Sequence, residues 1–144
     1  MKATAYFDGA CNNVGDGLAG FGALLVLENG DVYEIYGCLS QNSTSNIAEY
    51  AALIEAMRAA SQLGVTDLQV FGDSMLVVMQ MKKKWRVTHP NMKVAHEIAA
   101  KLASRFASIT YTWIPRERNG EADDLSRVGQ GGRPFTATTV RKRA

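Results

Sequence analysis

Four acidic side chains fall where a strand would surface or a helix would turn inward. Asp8 ends the alternating segment Thr4–Asp8, and Glu49 lies in a helical stretch from about Ser45 to Leu63. Asp73 ends a short strand opened by Asp67, and Asp123 sits near the start of a short last helix, with Asp124 equally near that start. Any one of these has a bland reading, because Asp ends strands by bonding to its own backbone. A Glu at the edge of an apolar stripe can reach water. Together they suggest chemistry. Carboxylates held close together repel one another, and protonation or bound cations are the usual remedy. Hard oxygen donors with no organised Cys or His set suit Mg²⁺ or Mn²⁺. Two such ions about 4 Å apart would clamp the entering and leaving oxygens of a phosphodiester.

The elements that must carry these acids are legible in order. Thr4–Asp8 alternates as a strand, with Ala5 and Phe7 on one side. Asn12–Gly20 contains a Gly-x-Gly-x-x-Gly match, but Phe21–Leu27 follows as a strand rather than a helix. A dinucleotide fingerprint needs the helix, so these glycines are assigned to a hairpin loop. Asn29-Gly30 marks a second tight turn, and Val32–Leu39 completes a three-strand antiparallel meander. In the first long helix Glu49, Leu53, Ala56 and Ala60 share a face, and Gly64 stops it. Met75–Met81 reads as a helix, and the strand–helix–strand order implies parallel pairing, with ligands at strand carboxyl ends. His89-Pro90-Asn91 opens a helix with a predicted stripe of Val94, Ile98, Leu102 and Phe106. His89 and His96 receive no catalytic role. Ile109–Ile114 alternates as a fifth strand, ended by Pro115, and Glu121–Val128 reads as the last helix. The division is a domain over 1–128 and a Gly-rich basic tail over 129–144, expected to be mobile.

Composition sets the outer limits. The chain has 144 residues and a 47% hydrophobic fraction, enough for one globular core. A net charge of +2 neither requires nor excludes a polyanionic partner. The local exception is Lys82-Lys83-Lys84-Trp85-Arg86. It reads either as a solvated helix end or as a phosphate contact surface walled by Trp85. No segment is long and apolar enough to span a membrane. Cys11 and Cys38 match no zinc spacing and suit small thiols in a reducing cytoplasm.

Four motifs carry a family resemblance. They are Tyr6-Phe7-Asp8-Gly9-Ala10, Thr44-Ser45-Asn46-Ile47-Ala48-Glu49-Tyr50, Phe71-Gly72-Asp73-Ser74 and Asn119-Gly120-Glu121-Ala122-Asp123-Asp124-Leu125-Ser126. In that order they resemble the successive motifs of ribonuclease H, type 1, over nearly the whole chain. The resemblance implies an α/β fold with a five-stranded mixed sheet, ordered 3-2-1-4-5, strands 1–3 antiparallel and helices flanking. It implies a monomeric, cytoplasmic, Mg²⁺-dependent endonuclease that hydrolyses the RNA strand of RNA–DNA hybrids, with two ions and Mn²⁺ as a substitute. It makes Asp8, Glu49, Asp73 and Asp123 the metal-binding carboxylates, choosing Asp123 over Asp124. Asn12, Ser45 and Asn46 resemble groups that contact the hybrid's minor groove, where the 2′-hydroxyl distinguishes RNA. Thr44 and the run from Lys82, Lys83, Lys84 and Trp85 to Arg86 resemble contacts to the DNA backbone.

The chain also departs from the pattern. Ser45 stands where relatives often have Asn, and Met75 where they often have Gln. The loop before the last helix holds Arg116 and Arg118 where many relatives carry a His. Arg118 is expected to replace part of that His, by attracting the leaving phosphate or shifting a metal. A guanidinium is always charged and cannot be the general base. The competing readings are a catalytically weak or silent hybrid- or RNA-binding module on the same fold, and a nuclease acting on DNA or junctions. The first would tolerate loss of an acid, and none is lost. The Ser45-Asn46 motif argues against the second.

Overall fold

Alternation in the first segment produces β1 (Lys2–Cys11), whose Ala3, Ala5 and Phe7 are buried. In this computed structural model residues 1–11, 18–39, 43–133 and 136–144 are described. β1 pairs antiparallel with β2 (Ala19–Leu27), and β2 antiparallel with β3 (Val32–Leu39). Between β2 and β3 the tight turn uses Gly30 at φ +94°, a left-handed conformation that costs glycine nothing. On its other side β1 pairs parallel with β4 (Asp67–Gly72), which pairs parallel with β5 (Ser108–Trp113). Parallel neighbours bring their carboxyl ends to one edge, so the register Phe7↔Gly72 sets Asp8 beside Asp73.

Among the described residues the sheet has six strands, in the order β5-β4-β1-β2-β3-β6. The five-stranded 3-2-1-4-5 expectation is corrected at the β3 edge. There β6 (Thr139–Lys142), from the segment expected to be mobile, adds antiparallel to β3. The reason is electrostatic as well as backbone pairing. Glu34 of β3 accepts from Arg141 at 2.6 Å and from Arg143 at 2.8 Å. Arg143 also meets Glu121 at 3.1 Å.

Helices cover both faces. α1 (Ser45–Gln62) is capped by Thr44, whose hydroxyl accepts from the Ile47 amide, and it packs on the face of Phe7. α2 (Met75–Met81) is capped by Ser74 in the same way. α3 (Pro90–Ala103) rests on α1. α4 (Gly120–Gln130) lies against β2 on the opposite face. Phe7, Leu25, Leu53, Met57, Leu68 and Val70 are fully buried, each contributing about 1.5–3 kcal/mol of apolar transfer. The expected α3 stripe is corrected in part. Leu102 and Phe106 are buried, but Val94 and Ile98 are 60% and 40% exposed. Met92 and Ala99 are buried instead, on the side of α3 that packs against α1. The expected glycine hairpin loop falls mostly at 12–17, outside the described residues, and Gly20 belongs to β2. Neither Cys11 nor Cys38 forms a disulfide among the described residues. Among the described residues no helix is long and apolar enough to cross a membrane.

Candidate metal centre

Three of the four carboxylates converge tightly. Asp8, Glu49 and Asp73 each present an oxygen within 4.8 Å of the others. Asp123 lines the same cleft, together with Gly9, Cys11, Trp113, Arg116, Arg127 and Gln130. Asp124 is exposed and is not among the cleft residues, so the two acids left open by helix position are separated by the fold. Asp8 does not end its strand as expected, because β1 stays paired with β2 as far as Cys11; its Oδ1 accepts from the Gly9 amide at 3.0 Å. Glu49 comes from the buried stripe of α1, as its helical spacing predicted. Close approach of β1 to α1 requires Gly9: a Cβ there would stand 2.5 Å from the Glu49 backbone nitrogen.

The electrostatics are those of an uncompensated acidic pocket. Burial, then the charges of Asp73 and Asp123, push Asp8 from its ordinary 3.8 up to about 7, against a hydrogen bond with Glu49 that lowers it. Glu49 is raised well above the carboxylate range, by burial first and by the Asp8 charge next. Burial also raises Asp73, while a hydrogen bond from Asn119 and the charge of Arg116 pull it back. Glu49 Oε2 is buried and has no hydrogen-bond partner. A cation would satisfy that oxygen and offset the repulsion. The three converging donor atoms are carboxylate oxygens, which fits Mg²⁺ or Mn²⁺ better than a thiophilic metal.

Of the two arginines in the loop before α4, Arg116 lines this cleft. Arg118 is not brought there. A 3-10 turn over Arg116–Arg118 sends it against Tyr6, Leu24 and Val26, beside Glu117 and Glu121. Three residues per turn separate alternate side chains widely around the axis, so only one of the two arginines can face the acids. Arg127, one turn after Asp123, approaches it at 3.4 Å. Trp113 donates its indole N–H to the Asp73 carbonyl at 3.1 Å. None of Arg116, Arg127 and Trp113 was assigned to the site from sequence. Trp113 could have been, since it ends a parallel strand on the carboxyl edge.

The remaining candidates lie elsewhere. Thr44, Ser45 and Asn46 open α1 one turn before Glu49. Thr44 and Ser45 are exposed and Asn46 is half-buried. Asn12 lies outside the described residues. Lys82 to Trp85 follow the end of α2 and are exposed. Lys83, at φ +62°, Lys84 and Trp85 line a surface groove with Arg86, Lys93 and His96. None of this run lines the carboxylate cleft.

Comparison with known proteins bears on the same elements. The pattern of the family described as "Reverse transcriptase-like" matches residues 6–129. A bifunctional protein of Mycobacterium tuberculosis is 38% identical over 127 residues, covering 88% of this chain and 35% of its own length. The chain thus spans about a third of that curated relative. The N-terminal ribonuclease H domain of the M. tuberculosis protein superposes with a TM-score of 0.84 at 37% identity, covering 90% of this chain and 99% of that one. Ribonuclease H1 of Halobacterium salinarum gives 0.82 at 34% identity, over 90% and 97%. LC11 ribonuclease H1, solved in complex with an RNA/DNA hybrid, gives 0.79 at 29% identity, over 88% and 94%. The sheet, the four acid-bearing elements and these likenesses agree: the chain belongs to the ribonuclease H family, type 1.

Proposed function

We propose that the cleft binds Mg²⁺, as a pair of ions with Mn²⁺ as a substitute, and hydrolyses the RNA strand of RNA–DNA hybrids as an endonuclease. The observation that carries this is the convergence of Asp8, Glu49 and Asp73 within 4.8 Å, with one Glu49 oxygen buried and unpartnered. Its counterpart among relatives is LC11 ribonuclease H1, whose structure holds an RNA/DNA hybrid.

Asp8, Glu49, Asp73 and Asp123 would hold the cations. Bound there, a divalent ion supplies Lewis-acid polarisation of the scissile phosphodiester and acidifies the attacking water. The chain's own groups do the rest. With Asp8 and Glu49 both raised, the cation-free protein holds a proton on this pair near neutral pH, and cation binding releases it. Arg116 and Arg127 face the cleft. They would offer positive charge to the phosphate and its leaving group, and the role expected of Arg118 is proposed for Arg116. Ser45, Asn46 and Asn12 are proposed to read the minor groove, where the 2′-hydroxyl selects RNA. Thr44, whose hydroxyl is engaged in the α1 cap, and the exposed Lys82–Trp85 run are proposed as DNA-backbone contacts, which would make binding salt-dependent. Residues 1–128 are proposed as the catalytic unit, acting as a monomer.

The test is incubation with labelled RNA–DNA hybrid, duplex DNA and duplex RNA, with and without Mg²⁺. Cation-dependent cutting of the hybrid alone is the expected result. Hybrid binding without cutting under any divalent ion would instead mark a silent binding module.

A further inference from the structure

We propose that Asn119 is a positioning residue that sets three of the four carboxylates relative to one another, so that the cleft's grip on a divalent cation depends on its side-chain amide. The proposal rests on reading the cleft as a cation centre. Asn119 is 1% exposed and lies between the 3-10 turn and α4. Its amide nitrogen has two hydrogens, and both go to acid-bearing elements. One contacts the Phe7 carbonyl at 2.9 Å, the residue before Asp8. The other contacts Asp73 Oδ2 at 3.3 Å. Both partners are acceptors only, so the nitrogen, not the oxygen, must face them. Meanwhile the Asn119 carbonyl accepts from the Asp123 amide at 3.0 Å, in the first turn of α4.

The position makes this informative. Asn119 occupies the N-cap of α4, where an Asn side chain normally accepts from the helix's own free amides. Here it makes no such cap bond. Its amide is turned toward the sheet instead, and its Oδ1 is left buried without a partner, an arrangement that costs stability. The last rung of the β1–β4 ladder is Phe7↔Gly72. Asn119 therefore joins the two strands just beyond the point where their own pairing stops and their acids begin. Asp in its place would set a like charge against Asp73. Ser would offer one hydrogen for two acceptors.

The experiment titrates the whole chain with Mn²⁺ by calorimetry, well below the melting temperature, for wild type, Asn119→Ser and Asn119→Ala. Leu68→Ala, a core truncation at the opposite end of β4, controls for lost stability. Groups that orient metal ligands typically govern affinity by about 10- to 100-fold. Asn119→Ala should lose that much, with Asn119→Ser between it and wild type. Hybrid cleavage should lose kcat with KM for the hybrid unchanged, and should recover in part as Mg²⁺ is raised. Leu68→Ala should melt lower yet bind Mn²⁺ within about two-fold of wild type. If both Asn119 variants bind Mn²⁺ as wild type does, the residue is only structural and the inference falls. If wild type itself binds neither Mn²⁺ nor Mg²⁺, the cation reading falls first and takes the inference with it.

Discussion

Replacing Asp8 by Asn should remove activity and, in the absence of divalent ions, make the protein more stable above neutral pH. In the unfolded chain Asp8 titrates near its ordinary 3.8, and in the fold near about 7. Below pH 3.8 both states hold the proton and the group contributes nothing to pH dependence. Between 3.8 and about 7 the folded state binds more protons than the unfolded state, so stability falls as pH rises. Above about 7 the loss is complete. At about 1.4 kcal/mol per pH unit it amounts to about 4 kcal/mol, an upper figure because Glu49 competes for the same proton. Asn cannot ionise, and its oxygen can still accept from the Gly9 amide that Asp8 Oδ1 now engages.

The measurable quantity is the stability gap between variant and wild type. From pH 5 to pH 8 in EDTA it should widen by about 2–3 kcal/mol, or about 8 °C in melting temperature for a domain of this size. Adding Mg²⁺ at pH 8 should narrow the gap by stabilising the wild type. Denaturant unfolding at the two pH values, with and without Mg²⁺, reads each arm. A variant less stable than wild type at both pH values would mean Asp8 is a structural residue and the acidic pocket carries no stored repulsion.

Three further outcomes are expected. Gly9→Ala would drive a Cβ into the α1 backbone at 2.5 Å; it should cost about 1–3 kcal/mol and lower hybrid cleavage by separating Asp8 from Glu49, as melting and cleavage assays would report. Arg116→Ala should reduce kcat on the hybrid about 10²-fold, as for loss of one charge-stabilising donor, whereas Arg118→Ala should stay within about two-fold; the reverse order would return the role to Arg118. Glu34→Ala should free β6 at a cost within about 1 kcal/mol, screened by salt, and speed tryptic cleavage after Arg141 and Lys142. Glu34 is held below its ordinary 4.5 by Arg141 and Arg143, so this support is present above that pH and fades as pH falls below it.

Legibility in the sequence followed the range of the interactions involved. Glu49 could be placed on the buried face of α1 because helical period is a local property, and it is buried among Leu53, Ala56 and Ala60. Asp8 and Asp73 were legible for the same reason: each lies just past the last parallel β1–β4 rung, Phe7↔Gly72, although β1 itself runs on to Cys11 along β2. What escaped was set by distant partners or by fine rotation. Residues 129–144 read as a basic tail because the acid that captures Arg141 is 107 residues away. Val94 and Ala95 are neighbours in sequence, and only packing on α1 decides which face of α3 turns in. Arg116 and Arg118 sit two apart in a 3-10 turn, where a single residue's rotation decides which one meets the acids. Asn119 shows the limit most clearly. Its type and place predict an ordinary helix cap, and its amide serves instead the strands carrying Asp8 and Asp73. A local rule broken without local compensation is where a functional constraint is to be sought. That break is visible only once the chain has brought residue 119 to the last β1–β4 rung, at Phe7.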